Sequence, residues 1–257
     1  MLSQMLLRLL QEKSKGELDK MITYKIVLTG GPCGGKTESI DFLSKKLIEQ
    51  NYSVKVVNET ANSLLKLGYM PSVNISIFDF QNLLFKIQFL NEYISDGKSN
   101  ILLCDRGLFD GKVYINESDF QKILELNEVK EKEIFSTYDG ALYCRSISYE
   151  YPNEFSKKRI YESPKVGRIR DERCKEIWID KVVPCIYDNL DGFENKQKII
   201  YLALKKFLKY LNQNKSPKLS DYYDIECYKY IYNGINDILA KTDISDDIKI
   251  KTKGLIM

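Results

Sequence analysis

The chain has 257 residues, 44% of them hydrophobic and 29% charged, with a formal net charge of +3. That length suits one enzyme-sized α/β domain with a sizeable core, and so small a net charge gives no reason to expect a nucleic-acid partner. Histidine is absent, which removes Ser-His and Cys-His nucleophilic machinery and most zinc sites, so carboxylates, Lys and Arg must carry any chemistry.

Residues 1–10 hold a short apolar stretch interrupted by Gln4 and Arg8, far shorter than the ~20 residues of a membrane span and not laid out as a secretory leader. We read 1–21 as an N-terminal helical extension. Residues 24–29 alternate and branch like a buried strand, and 38–50 carry Ile40, Phe42, Leu43, Leu47 and Ile48 at helical spacing. Between them runs Gly30-Gly31-Pro32-Cys33-Gly34-Gly35-Lys36-Thr37, which has the pattern G-x-x-x-x-G-K-T. Strand, glycine-rich loop and helix in that order form a nucleotide-phosphate cradle. Glycines let the backbone fold around an anion, Lys36 would reach the β/γ-phosphates, and the Thr37 hydroxyl would ligate magnesium.

Residues 53–58 form a second strand candidate ending at Glu59-Thr60, followed by an amphipathic helix over 78–94. The apolar run 100–104 is a third strand, ended by Asp105-Arg106-Gly107, and 140–144 is a fourth. A fifth, weakly marked by Pro184, covers 182–187. Strands separated by helical patterns imply an α/β fold: a parallel sheet of about five strands with helices on both faces. Ligand chemistry in such sheets sits at the carboxyl ends of the strands, so Asp105 would hold magnesium directly or through water, or else cap a helix. Arg106 would neutralise phosphate charge or pair with a neighbouring carboxylate.

Of seven arginines, five fall between 145 and 173, against thirty-two lysines spread throughout. Planar multidentate donors gathered in one segment suggest a phosphate-closing lid at about 150–176, with Arg168 and Arg170 at the transferring phosphate; a solvated basic loop is the alternative. A helix over 194–213 completes the domain 22–213, and Ser216-Pro217 separates it from a small helical appendage at 214–257. The six cysteines include no C-x-x-C pair and read as free thiols of a reducing, cytoplasmic compartment. No polybasic cluster or lipidation signal supports contact with a membrane or phosphoinositide.

The strings L-T-G-G-P-C-G-G-K-T, Glu59-Thr60, Phe80-Gln81 and C-D-R-G, with Tyr138-Asp139, Arg170-x-Glu172 and Asp188-Asn189 as weaker matches, resemble the NadR/TRPL-translocation-defect type of AAA P-loop NTPase domain over roughly 22–210. The resemblance implies a fold like nucleoside and nucleoside-monophosphate kinases, an ATP or GTP site and a mobile lid. It departs where the family has Trp-x-x-His-Pro, since Trp178 is followed here by Ile-Asp-Lys-Val-Val-Pro. By the further likeness to deoxynucleoside kinases, Glu59 would be base or acceptor ligand, and Phe80 and Gln81 would face the acceptor nucleobase. Glu59 pairing with a lysine and Phe80 as core are the plainer alternatives. The leading expectation is a magnesium-dependent phosphotransferase moving the γ-phosphate of ATP or GTP to a small hydroxyl acceptor. The rival is a nucleotide-binding regulatory switch that engages a protein or phosphoinositide partner. An AAA-type ring motor has less support, because Asp105 is followed by Arg and not by a second acid.

Overall fold

The computed structural model describes residues 23–145, 163–181 and 192–213. The N-terminal extension, the first part of the lid, the fifth strand candidate at 182–187, Asp188-Asn189 and the C-terminal appendage lie outside the described residues. The chain divides into two compact units, Met1–Val182 and Val183–Met257.

In the first unit the elements are β1 (Tyr24–Thr29), α1 (Lys36–Ile48), β2 (Val54–Val57), α2 (Thr60–Lys66), α3 (Ile77–Ser95), β3 (Ile101–Asp105), a 3₁₀ helix (Leu108–Val113), α4 (Glu117–Leu126), α5 (Glu131–Ser136), β4 (Gly140–Tyr143) and α6 (Pro164–Ile177). The sheet order is β2-β3-β1-β4 and every pairing is parallel. The sheet has four strands among the described residues, where the sequence pattern suggested about five.

Both faces of the sheet are covered. Val27, Leu102, Cys104 and Ala141 join one apolar cluster with Phe85, Phe89, Phe109, Phe120 and Trp178, while their strand neighbours Ile26, Leu28 and Leu103 are equally buried and, by alternation, face the other side. Within the cluster Trp178 stacks on Phe135 at 5.7 Å and meets Phe109 and Tyr138 edge-on. The tryptophan that marks the departure from the family's histidine segment is therefore a core anchor. Under the sheet, Glu92 accepts from the Tyr138 hydroxyl at 2.8 Å and pairs with Lys25 at 3.4 Å, so this buried carboxylate is satisfied.

Local chemistry explains several boundaries. Ser76 accepts from the Asp79 amide and starts α3 one residue before the periodic pattern does; Asn116 and Ser163 cap α4 and α6 in the same way. The short helices α2 and α5 are too brief to show a helical period, which is why the sequence pattern passed over them. In the second unit, α7 (Phe193–Asn212) buries Ile199, Ile200, Ala203, Leu204, Phe207 and Leu208 on one stripe, matching the helix expected over 194–213.

Candidate phosphate-binding site

The loop after β1 is shaped by contact as well as by dihedral freedom. A Cβ at Gly30 would lie 2.1 Å from the Cys144 carbonyl oxygen, and one at Gly34 would lie 2.5 Å from the same atom, so the end of β4 leaves room only for glycine. Gly31 and Pro32 continue the turn. Left-handed residues at Cys33 (φ 59°) and Gly35 (φ 70°) bend the backbone into the concave form that gathers amide groups around an anion. Helix α1 then opens at Lys36 with no side-chain cap, leaving its first amides for a ligand.

Lys36 is buried and donates from Nζ to the carbonyls of Gly31 at 2.7 Å and Gly30 at 3.2 Å. Burial, aided by the nearby Arg106 guanidinium, lowers its pKa against the pull of Asp105 and Glu59. The Thr37 hydroxyl donates to Asp105 Oδ2 at 2.8 Å, while Asp105 Oδ1 is buried without a hydrogen-bond partner among the described residues. Burial also raises the Asp105 pKa, and Lys36 opposes that rise. A hydroxyl and a carboxylate oxygen side by side, one of them unsatisfied, are hard donors that fit a magnesium ion. Among the described residues no group of three or more His, Cys, Asp or Glu gathers, so nucleotide oxygens and water would complete such a site.

Strand ends bring two further residues to this point. Arg106, in the left-handed region at φ 70°, donates from Nε to Glu59 Oε1 at 2.9 Å and from Nη1 to the Gly30 carbonyl at 3.2 Å, with Asp110 at 3.7 Å. Glu59 also accepts from Asn62. Its partners thus include an arginine, where the plainer alternative named a lysine. Phe80 and Gln81 lie on the first turn of α3 and are both buried, with Gln81 Oε1 against Gly111.

The arginines expected in the lid separate. Arg170 lies over the Tyr114 ring at 4.6 Å, Arg168 is exposed, and Arg173 donates to the carbonyls of Lys112, Val113 and Ile115. Arg173 therefore anchors α6 to the backbone around the 3₁₀ helix. Arg159 lies outside the described residues.

Sequence reasoning missed three polar residues that build the site. Asp110 accepts from the Thr29 hydroxyl at 2.5 Å and the Gly107 amide at 2.7 Å, closing the turn after β3. Gln88 donates to the Arg106 carbonyl at 3.1 Å and accepts from Thr60, tying the ends of β2 and β3 together. Asp171 accepts from the Gly31 amide at 2.6 Å and the Tyr143 hydroxyl at 2.7 Å. A signal for Asp171 existed, because 171, 174, 175 and 178 share one buried stripe of α6, but a charge beside Arg170 and Glu172 reads as solvent-facing.

A family model described as an AAA domain matches residues 25–196. Among solved structures, NadR protein in complex with NAD and AMP-PNP is similar at a TM-score of 0.51 and 16% identity, covering 73% of this chain and 50% of that one. NadR protein in complex with NR gives 0.50 and 15%, covering 72% and 52%. A thymidylate kinase from Ehrlichia chaffeensis gives 0.46 and 14%, covering 73% and 99%. The chain thus spans about half the length of the NadR structures. No curated protein matches it. The fold is the P-loop, nucleotide-kinase-like one that the resemblance implied, and the match runs from β1 through the phosphate loop, the Asp105 strand end and α6: the chain belongs to the AAA domain family.

Proposed function

We propose that the protein is a magnesium-dependent phosphotransferase that moves the γ-phosphate of ATP or GTP onto a small nucleoside-like or other hydroxyl acceptor. The observation that carries this reading is the Thr37–Asp105 pair, with its unsatisfied carboxylate oxygen, next to a lysine folded into the phosphate loop. When nucleotide enters, Lys36 exchanges the Gly31 carbonyl for phosphate oxygens, a stronger charge-assisted contact, and keeps the Gly30 carbonyl as its seat. A magnesium ion held by Thr37 and Asp105 would neutralise charge on the β- and γ-phosphates. Arg106 adds positive charge beside Gly30, and Glu59, held in place by Arg106, accepts the proton of the attacking hydroxyl. Phe80 and Gln81 face the acceptor, and Arg168 and Arg170 close over the transferring phosphate to exclude water. We place the reaction in the cytoplasm; no helix among the described residues is long and apolar enough to cross a membrane.

Acceptor-dependent ADP or GDP release tests the reading directly. Nucleosides, nucleotides and sugars are offered with each triphosphate, beginning with NR because one NadR structure holds it. Release that rises with one acceptor class is the expected result. Tight nucleotide binding with no acceptor-dependent release from any class would replace the phosphotransferase with a nucleotide-controlled switch.

A further inference from the structure

The peptide unit joining Gly30 and Gly31 is held at both ends by opposite charges. Its carbonyl oxygen accepts from Lys36 Nζ at 3.2 Å and Arg106 Nη1 at 3.2 Å, and its N–H donates to Asp171 Oδ1 at 2.6 Å. The peptide dipole thus lies with its negative end toward two cations and its positive end toward a carboxylate, an arrangement in which each contact strengthens the other. Neither Gly30, at φ 128°, nor Gly31 carries a Cβ, so side-chain sterics restrict this peptide little and the surrounding charges bear on its orientation.

Asp171 comes from α6, remote in sequence from the loop, and is itself fixed. It is 2% exposed, its second oxygen accepts from the Tyr143 hydroxyl at 2.7 Å, and two residues later Arg173 pins the same helix to the carbonyls of Lys112 and Val113. Burial together with this carboxylate holds the Tyr143 hydroxyl protonated as a donor. We propose that Asp171 is a positioning residue that sets the orientation of the Gly30–Gly31 peptide, and through it the seats of Lys36 and Arg106. This rests on the phosphate-loop reading above. It gives α6 a role separate from that of its arginines: one buried acid holds the loop, while Arg168 is exposed and Arg170 lies over Tyr114. A flipped peptide would turn an N–H toward Lys36 and Arg106 and remove one of the two carbonyls that seat Lys36.

Three variants separate positioning from simple support of the fold. Asp171→Ala removes the acceptor for Gly31. Asp171→Asn keeps a carbonyl oxygen for Gly31 and offers its amide to the Tyr143 oxygen. Tyr143→Phe leaves the Gly31 bond and removes only the second contact. At temperatures where all remain folded by circular dichroism, Asp171→Ala is expected to weaken magnesium-nucleotide binding about tenfold, with Asp171→Asn and Tyr143→Phe within about threefold of the parent. The Gly31 amide proton gives a readout independent of nucleotide. It resonates far downfield and resists exchange in the parent and in Tyr143→Phe, and loses both properties in Asp171→Ala. If the parent binds neither triphosphate, the phosphotransferase reading fails, and the amide result still decides whether Asp171 sets the loop. A Gly31 amide unchanged by Asp171→Ala, or equal affinity losses in Asp171→Ala and Tyr143→Phe, would overturn the proposal.

Discussion

Arg106 and Glu59 meet across 2.9 Å, joining the residue after β3 to the second residue after β2, and both side chains are largely shielded from water. The pair gives Glu59 a defined orientation at the strand ends without neutralising it by proton transfer, since a guanidinium keeps its charge. Glu59→Gln preserves an oxygen for Arg106 Nε and removes the proposed base. Acceptor phosphorylation should fall by about 100-fold, with nucleotide affinity and thermal stability close to the parent. Unchanged turnover would return Glu59 to the role of an ion-pair partner that stabilises the turn.

Among the described residues the Lys36 side chain donates within its own loop, to Gly30 and Gly31. Lys36→Ala should therefore leave the fold intact and weaken triphosphate binding by about 1.5–3 kcal/mol, the loss of one charge-assisted contact. Calorimetry with ATP and GTP measures it; equal affinity in variant and parent would remove the basis of the nucleotide site.

Asp105 makes a prediction about pH. Because burial raises its pKa above the unfolded value, the folded, nucleotide-free protein binds this proton more tightly than the unfolded chain. Its contribution to stability is therefore favourable at low pH and is lost as pH rises from the ordinary carboxylate value through the raised one. Lys36 acts with the opposite sign in the alkaline range: its pKa is lowered, so stability rises as pH climbs from the depressed value to that of an ordinary lysine. Asp105→Asn removes the acid-side slope. Denaturation midpoints across pH should show a variant no less stable than the parent near neutrality, while its magnesium-dependent turnover falls more than its metal-free nucleotide binding. Turnover that keeps its magnesium dependence would mean that Asp105 does not serve the metal.

Replacing Arg168 and Arg170 together by Lys retains charge and removes the planar fork, together with the stacking of Arg170 on Tyr114. On the proposed role of these groups at the transferring phosphate, acceptor phosphorylation is expected to fall more than about tenfold with little change in nucleotide affinity. Full activity at ordinary affinity would make them surface charges; altered affinity without any acceptor-dependent rate would favour a switch.

The local features of this protein were legible from residue order alone. β1, α1 and the Gly30 to Thr37 loop could be read because strand period, glycine pattern and helix period follow one another without interruption, and each is a short-range property. Asp105 was legible for the same reason, as an acid ending an apolar run. What depended on the folded chain is which distant groups reach that loop. Strand order places β3 and β4 on either side of β1, so Arg106 and the Cys144 carbonyl arrive at Gly30 from opposite neighbours, a consequence of parallel pairing that no local pattern records. Asp171, Asp110 and Gln88 were hidden because a polar residue reveals its partner only when burial forces it to find one. The same holds for the arginines: a cluster in sequence becomes an exposed Arg168 and, on another side of α6, a stacked Arg170 and a backbone anchor Arg173 against residues 112–115, since residues three apart share a helix face and residues two apart do not.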